Sequence, residues 1–112
     1  MEKVIYLNSD AMGTGEAEIG AVLIRNFLLT VLENEKDITC VLLVNSGVTL
    51  ACEGSNVLDV LESFVQKGGA IYSCGTCLDF YNLKSSLKAG TAGNMKLIAG
   101  KISSPEVFVI RP

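Results

Sequence analysis

At 112 residues the chain has room for one domain, residues 1–112, and enough length to bury a core without disulfides or metal. Its apolar content of 49% and only two prolines argue against disorder, and a formal charge of −3 with nine scattered Lys and Arg residues argues against a nucleic-acid or anionic-membrane partner. The absence of histidine removes the usual general base, the Cys–His and Ser–His dyads and every mixed Cys/His zinc site.

The first element is "KVIYLNS" (3–9), a β-branched and aromatic apolar run that predicts a buried strand. In "EAEIGAVLIRNFLLTVLENE" (16–35), Ile19, Val22, Leu23, Phe27 and Val31 recur at helical spacing and give a wide apolar face. Glu16 and Glu18 fall in its first turn, where the helix dipole favours negative charge. "ITCVLLVNSG" (38–47) predicts a second, continuous strand. "SNVLDVLESFVQKGG" (55–69) predicts an amphipathic helix with Val57, Leu58, Leu61 and Val65 on one face, Ser55 as N-cap and Gly68 as stop. "AIYSC" (70–74) predicts a third strand, "CLDFYNLKSSLKAG" (77–90) one or two short helices, "NMKLIAGK" (94–101) another helix and "EVFVIRP" (106–112) a closing strand.

Strands that are apolar on both faces and separated by helices imply a parallel sheet covered on both sides, an α/β/α sandwich of three layers. Ligands in such sheets bind beyond the carboxyl ends of the strands. Those ends here are "NSD" (8–10), "NSG" (45–47) and "SCGTC" (73–77). The N-terminal "MEKVIYLNSDAMG" lacks the basic start and long apolar stretch of a signal peptide, and Arg25 and Asn26 interrupt the longest apolar run of the first helix, so a cytoplasmic location is expected. In a reducing cytosol four cysteines are more often free, metal-bound or catalytic than bridged.

"MGTGEAEIG" puts Gly13 and Gly15 between a strand and a helix, but the spacing is not GxGxxG and no Walker lysine follows; a tight turn is the simpler reading. Asn8–Ser9 and Asn45–Ser46 end neighbouring strands, where their side chains can cap turns or line a polar pocket. Glu53, in the loop after the second strand, is a carboxylate near that edge, as Asp10 and Glu16 are, and an accessory acid/base candidate beside the default of a solvated side chain. Cys40 lies within a strand and reads as a buried, inert thiol; Cys52, in a loop with no pattern fixing its path, reads either as a resolving thiol or as incidental.

Cys74 and Cys77 form a CxxC at the third strand end. Thr76 and Asp79 fit a capping-box-like start that makes Thr76 the N-cap and Cys77 the first helical residue, where unpaired N–H groups favour a thiolate. Gly75 allows the sharp turn. One CxxC supplies two of the four ligands a zinc site needs, and Cys40 points into the core, so no metal site is expected within one chain and only one shared across subunits stays open; no cofactor is expected. A thioredoxin-like exchange site lacks its usual Trp and Pro here. Reactive thiol chemistry and plain packing of a helix start both remain open.

Several ordered stretches, "IYLNSDAMGTGEAEIGAVLIRNFLLTV", the "NSG…EGS" loop, "SCGTCLDFY" and "GNM" (93–95), together resemble the DsrE/DsrF-like family, most closely the DsrE-like domain of the YedF proteins, which are described as sulfurtransferase-like and linked to selenium metabolism. The resemblance implies a five-stranded, mainly parallel sheet in three layers, assembly into trimers or hexamers, and sulfur carried as a cysteine persulfide. It assigns the carrier role to Cys74 or Cys77 and none to Cys52. YedF proteins also carry a small preceding domain with a Cys-Pro motif similar to the sulfur carrier TusA. These 112 residues contain no such motif, so the resemblance implies a TusA-like protein as the partner thiol.

The expected function is a sulfur, or selenium, carrier working through a persulfide at CGTC, with Gly75–Thr76 amides and the Asn8 and Asn45 side chains around the anionic sulfur. The alternative is a non-enzymatic oligomeric module that binds a small ligand or senses redox state at the same edge. A structural subunit with inert thiols is the third class.

Overall fold

In a computed structural model covering residues 1–112, the chain forms β1 (Glu2–Leu7), α1 (Ala17–Asn34), β2 (Ile38–Leu43), α2 (Leu58–Gln66), β3 (Ala70–Cys74), α3 (Gly75–Phe80), β4 (Thr91–Gly93), α4 (Met95–Ser103) and β5 (Val107–Ile110). All strand pairs are parallel, in the order β4-β3-β2-β1-β5. The chain steps outward from β1 through β2 and β3 to β4, then returns across the sheet to β5. With right-handed crossovers this reversal puts α1 and α2 on one face and α4 on the other, the expected three-layer α/β/α sandwich. Arg25 of α1 pairs with both carboxylate oxygens of Asp59 in α2 at 2.8 and 2.9 Å, which fixes the two helices side by side. No helix is long and apolar enough to cross a membrane.

The β-branched and leucine-rich runs of β1, β2 and β3 are buried because both sheet faces are covered. Val4, Ile5, Val41, Leu42, Leu43 and Ile71 lie in one continuous core with Ile24 and Leu28 of α1, Leu61 of α2, Leu78 of α3 and Ile98 of α4. Cys40 belongs to that core, and burial pushes its thiol up to about 11. The apolar face expected for α1 is not the face it buries: of Ile19, Val22, Leu23, Phe27 and Val31 none is buried, the first three being exposed and Phe27 and Val31 partly covered. Gly20, Ile24 and Leu28 are buried, whereas Ile19 and Val22 are each 51% exposed.

The second helix starts from Val57 rather than the predicted Ser55 cap, whose Oγ accepts from the Val57 N–H at 3.1 Å, and two strands also differ from the sequence pattern. The second strand does not run to residue 47: it ends at Leu43, and Asn45–Ala51 form a 3₁₀ helix. Asn45 turns the chain with φ 51°, and Gly47 then lies so close to β1 that a Cβ there would sit 2.6 Å from the Leu7 carbonyl oxygen. Val48, Leu50 and Ala51 are buried in turn, so an apparently patternless loop is part of the core. The strand absent from the sequence pattern, β4, is only three residues long and exposes Thr91 and Ala92 at the sheet edge, which is why "TAG" carries no hydrophobic signal.

Candidate functional site

β3 delivers Cys74 to the carboxyl edge and passes straight into α3. The helix begins at Gly75 with Cys74 as N-cap, two positions earlier than the Thr76 cap the sequence predicts, and no side chain caps it. Thr76 is exposed and Cys77 is the third helical residue rather than the first. The early start brings Gly75 against β4, where a Cβ would lie 3.2 Å from the Gly93 carbonyl oxygen. Leu78 anchors α3 in the core, leaving Cys74 buried and Cys77 half-buried.

Cys77 Sγ accepts a hydrogen bond from the backbone N–H of Asn45 at 3.1 Å. The Asn45 side chain, expected to face the sulfur, instead accepts at Oδ1 from the Tyr81 hydroxyl, 2.9 Å away. The Asn45 contribution to the sulfur is therefore made by the main chain, because the left-handed turn at Asn45 directs its N–H toward α3. Burial raises the Cys77 thiol above its ordinary value; the Asn45 N–H opposes this, and the neighbouring Cys74 thiol reinforces it. The expected thiolate at a helix start is thus replaced by a thiol held protonated at neutral pH.

The other sequence candidates fall into place around this pair. Ser9 Oγ accepts from the Ala11 N–H at 3.1 Å, and Ser46 Oγ accepts from the Asp10 N–H at 3.2 Å, so both serines fold the edge loops. Asn8 is exposed at the end of β1. Cys52 is buried, donates its S–H to the Val48 carbonyl at 3.2 Å and is raised by burial. Glu53 opens onto a separate depression lined by Asp10, Thr49, Ser55 and Asn56, which contains no cysteine. No three His, Cys, Asp or Glu side chains converge in a geometry that could hold a metal ion.

Tyr81 is the site residue the sequence reading misses. It lies four residues after Cys77, one helical turn on, so the same-face rule was available to find it. Its backbone N–H also donates to the Cys77 carbonyl at 3.1 Å. Beside it Phe80, 81% exposed, stacks edge-on with its ring at 5.1 Å and leaves an exposed aromatic surface at the end of α3.

No family model matches the chain, and no curated protein matches it by sequence. Solved structures do match. A protein of unknown function from Methanobacterium thermoautotrophicum, MTH1491, superposes with a TM-score of 0.71 at 13% identity, covering 99% of this chain and 98% of that one. A conserved protein of unknown function from Bacteroides thetaiotaomicron, BT1422, gives 0.66 at 15% identity over 99% of this chain and 95% of its own. The YchN protein of E. coli gives 0.61 at 16% identity over 98% and 100%. At these identities the likeness is one of fold, the DsrE-like α/β/α sandwich.

Proposed function

We propose that this single-domain protein is a cytoplasmic sulfur carrier of the YedF-like kind, with Cys77 as the acceptor and Cys74 as the resolving thiol. The observation that carries the reading is the backbone N–H of Asn45 on Cys77 Sγ, beside a second cysteine. A fixed, uncharged donor on a half-buried sulfur stabilises an anion there, and the Cys77 thiolate, which attacks in loading and leaves when the sulfur is passed on, is such an anion. In the loading step the Cys77 thiolate attacks the outer sulfur of a donor persulfide, R–S–SH. The donor S–S bond breaks, its electron pair leaves as R–S⁻, and Cys77 becomes Cys–S–SH. An acceptor thiolate then takes the outer sulfur and regenerates the Cys77 thiolate. With no acceptor, Cys74 thiolate attacks the inner sulfur, forming a Cys74–Cys77 disulfide and expelling hydrosulfide. The same steps serve selenium.

The resting thiol is protonated at neutral pH, so loading accelerates as pH rises through and beyond the ordinary thiol range. None of the five principal surface depressions is lined by Cys74 or Cys77, which favours exchange with a protein-borne thiol such as a TusA-like carrier over an enclosed small substrate. The exposed Ile19, Val22 and Leu23 of α1 favour a homo-oligomer built on that helix, and sedimentation giving a monomer at high concentration would remove this part.

The test is to give reduced protein a small-molecule persulfide, trap with an alkylating agent and map by peptide mass spectrometry. The expected result is one added sulfur on Cys77, absent in Cys77→Ala and longer-lived in Cys74→Ala. An unmodified Cys77 would overturn the carrier and leave the binding module in its place.

A further inference from the structure

The three contacts joining Cys77, Asn45 and Tyr81 close a ring. Asn45 N–H donates to Cys77 Sγ at 3.1 Å, Tyr81 hydroxyl donates to Asn45 Oδ1 at 2.9 Å, and Tyr81 N–H donates to the Cys77 carbonyl at 3.1 Å. The two ends of the ring belong to different elements, α3 with its C-cap and the 45–51 helix, and the tyrosine hydroxyl is the side-chain hydrogen bond between them besides the Asn45 N–H···Sγ contact itself. Asn45 holds φ 51°, in the left-handed region that asparagine enters more readily than other non-glycine residues.

We propose that Tyr81 is a positioning residue for Cys77: its hydroxyl holds the Asn45 side chain, and through it the left-handed turn, so that the Asn45 N–H stays directed at the sulfur. The inference deepens the carrier reading and rests on it for the use to which the sulfur is put. The geometry itself concerns the unloaded thiol.

Asn45 N–H stabilises the thiolate more than the thiol, so losing its aim raises the Cys77 pKa. Few other groups compete for that role. The 45–51 helix and β4 carry no titratable side chain, and β3 contributes Cys74 and Tyr72. On α3 Asp79 is paired with Lys84 of the following turn at 3.2 Å, both well exposed. Cys74 is the one whose charge bears on Cys77.

The experiment is a pH–rate profile for alkylation of Cys77 in the full, reduced chain, resolved by peptide mass spectrometry, for the wild type, Tyr81→Phe, Asn45→Gly and the double variant. Tyr81→Phe removes one oxygen; Asn45→Gly keeps the N–H and tolerates positive φ but removes the tether. Each single variant is expected to move the midpoint of the profile up by about 0.5–1 pH unit, the size of one weakened hydrogen bond to a charged group. The rate at neutral pH then falls only about twofold to threefold, because a more basic thiolate is a better nucleophile. The alkaline plateau is kept or slightly raised. The double variant is expected to match the singles, since both cut the same link. Superimposable midpoints for wild type and Tyr81→Phe would overturn the proposal. So would a lowered plateau with an unmoved midpoint, the mark of steric shielding, or additive shifts in the double variant. None of these readings uses a sulfur donor, so failure to load a persulfide and failure of the Tyr81 assignment are separate outcomes.

Discussion

The two ends of the sheet solve their polar problems by different means. At the amino end charges pair: Lys3 with Glu35 at 2.8 Å, and Lys101 with Glu2 at 2.9 Å, with Thr39 also donating to Glu2. At the carboxyl end the contacts on and around Cys77 come from uncharged groups, a main-chain N–H, an amide oxygen and a phenol. Exposed ion pairs tolerate rearrangement and are screened by salt, whereas a main-chain donor fixed by a turn keeps its direction. The end built from neutral, directional donors is the one that can hold an anionic sulfur without neutralising it.

The largest test of this contrast compares thiols of the two regions. With a burial-raised value of about 11, Cys40 is thiolate to only about one part in a thousand at pH 8, before its near-complete burial is counted. Cys77 is raised as well, so ionisation supplies only part of the contrast and the near-complete burial of Cys40 supplies the rest. Native-state alkylation is expected to label Cys77 at least about tenfold faster than Cys40, the gap closing in denaturant. Comparable native rates would erase the distinction between the two regions.

Gly47→Ala tests how far the carboxyl end depends on close backbone packing. The new methyl meets the carbonyl of Leu7, which cannot rotate aside, so a loss of about 1–3 kcal/mol in urea denaturation is expected, with slower Cys77 alkylation in the folded protein as Asn45 shifts. A stable variant with unchanged alkylation would show that the 45–51 helix does not hold the donor.

A smaller effect is expected from pH. A cysteine raised from 9.0 to about 11 stabilises the fold fully below pH 9 and loses that contribution as pH climbs toward about 11. Stability should fall across that window, less steeply in Cys40→Ala. Smallest of all, Lys3→Ala breaks an exposed pair and should leave the denaturation midpoint where it was. A clear shift would give the amino end the same structural weight as the site.

The sequence made the buried strands legible because a doubly covered sheet demands unbroken β-branched runs, and β1, β3 and β5 were expected in place. It hid β4, whose three small residues pair at an exposed edge, so the expectation of five strands came from the family resemblance alone. The CxxC and its edge were readable from strand order. The donor on Cys77 was not, because it is a backbone atom placed by a tertiary clash-free fit of Gly47 against Leu7. Side-chain identity carries no trace of where a main-chain N–H points. For the same reason the thiol was expected to be acidic from its helix start, and the competing burial appeared only once the 45–51 helix covered it.

The strand order has a kinetic consequence. β1 lies between β2 and β5, and the Glu2–Val107 pairing joins residues roughly a hundred positions apart, so one side of the first strand waits for the last. The β1–β2–β3 half can assemble while the chain is still being made. Its open β1 flank is a sticky edge until residues 107–110 arrive, and those four residues act as the seal on the fold. Pulsed hydrogen exchange during refolding should find the β1–β5 amides protected last.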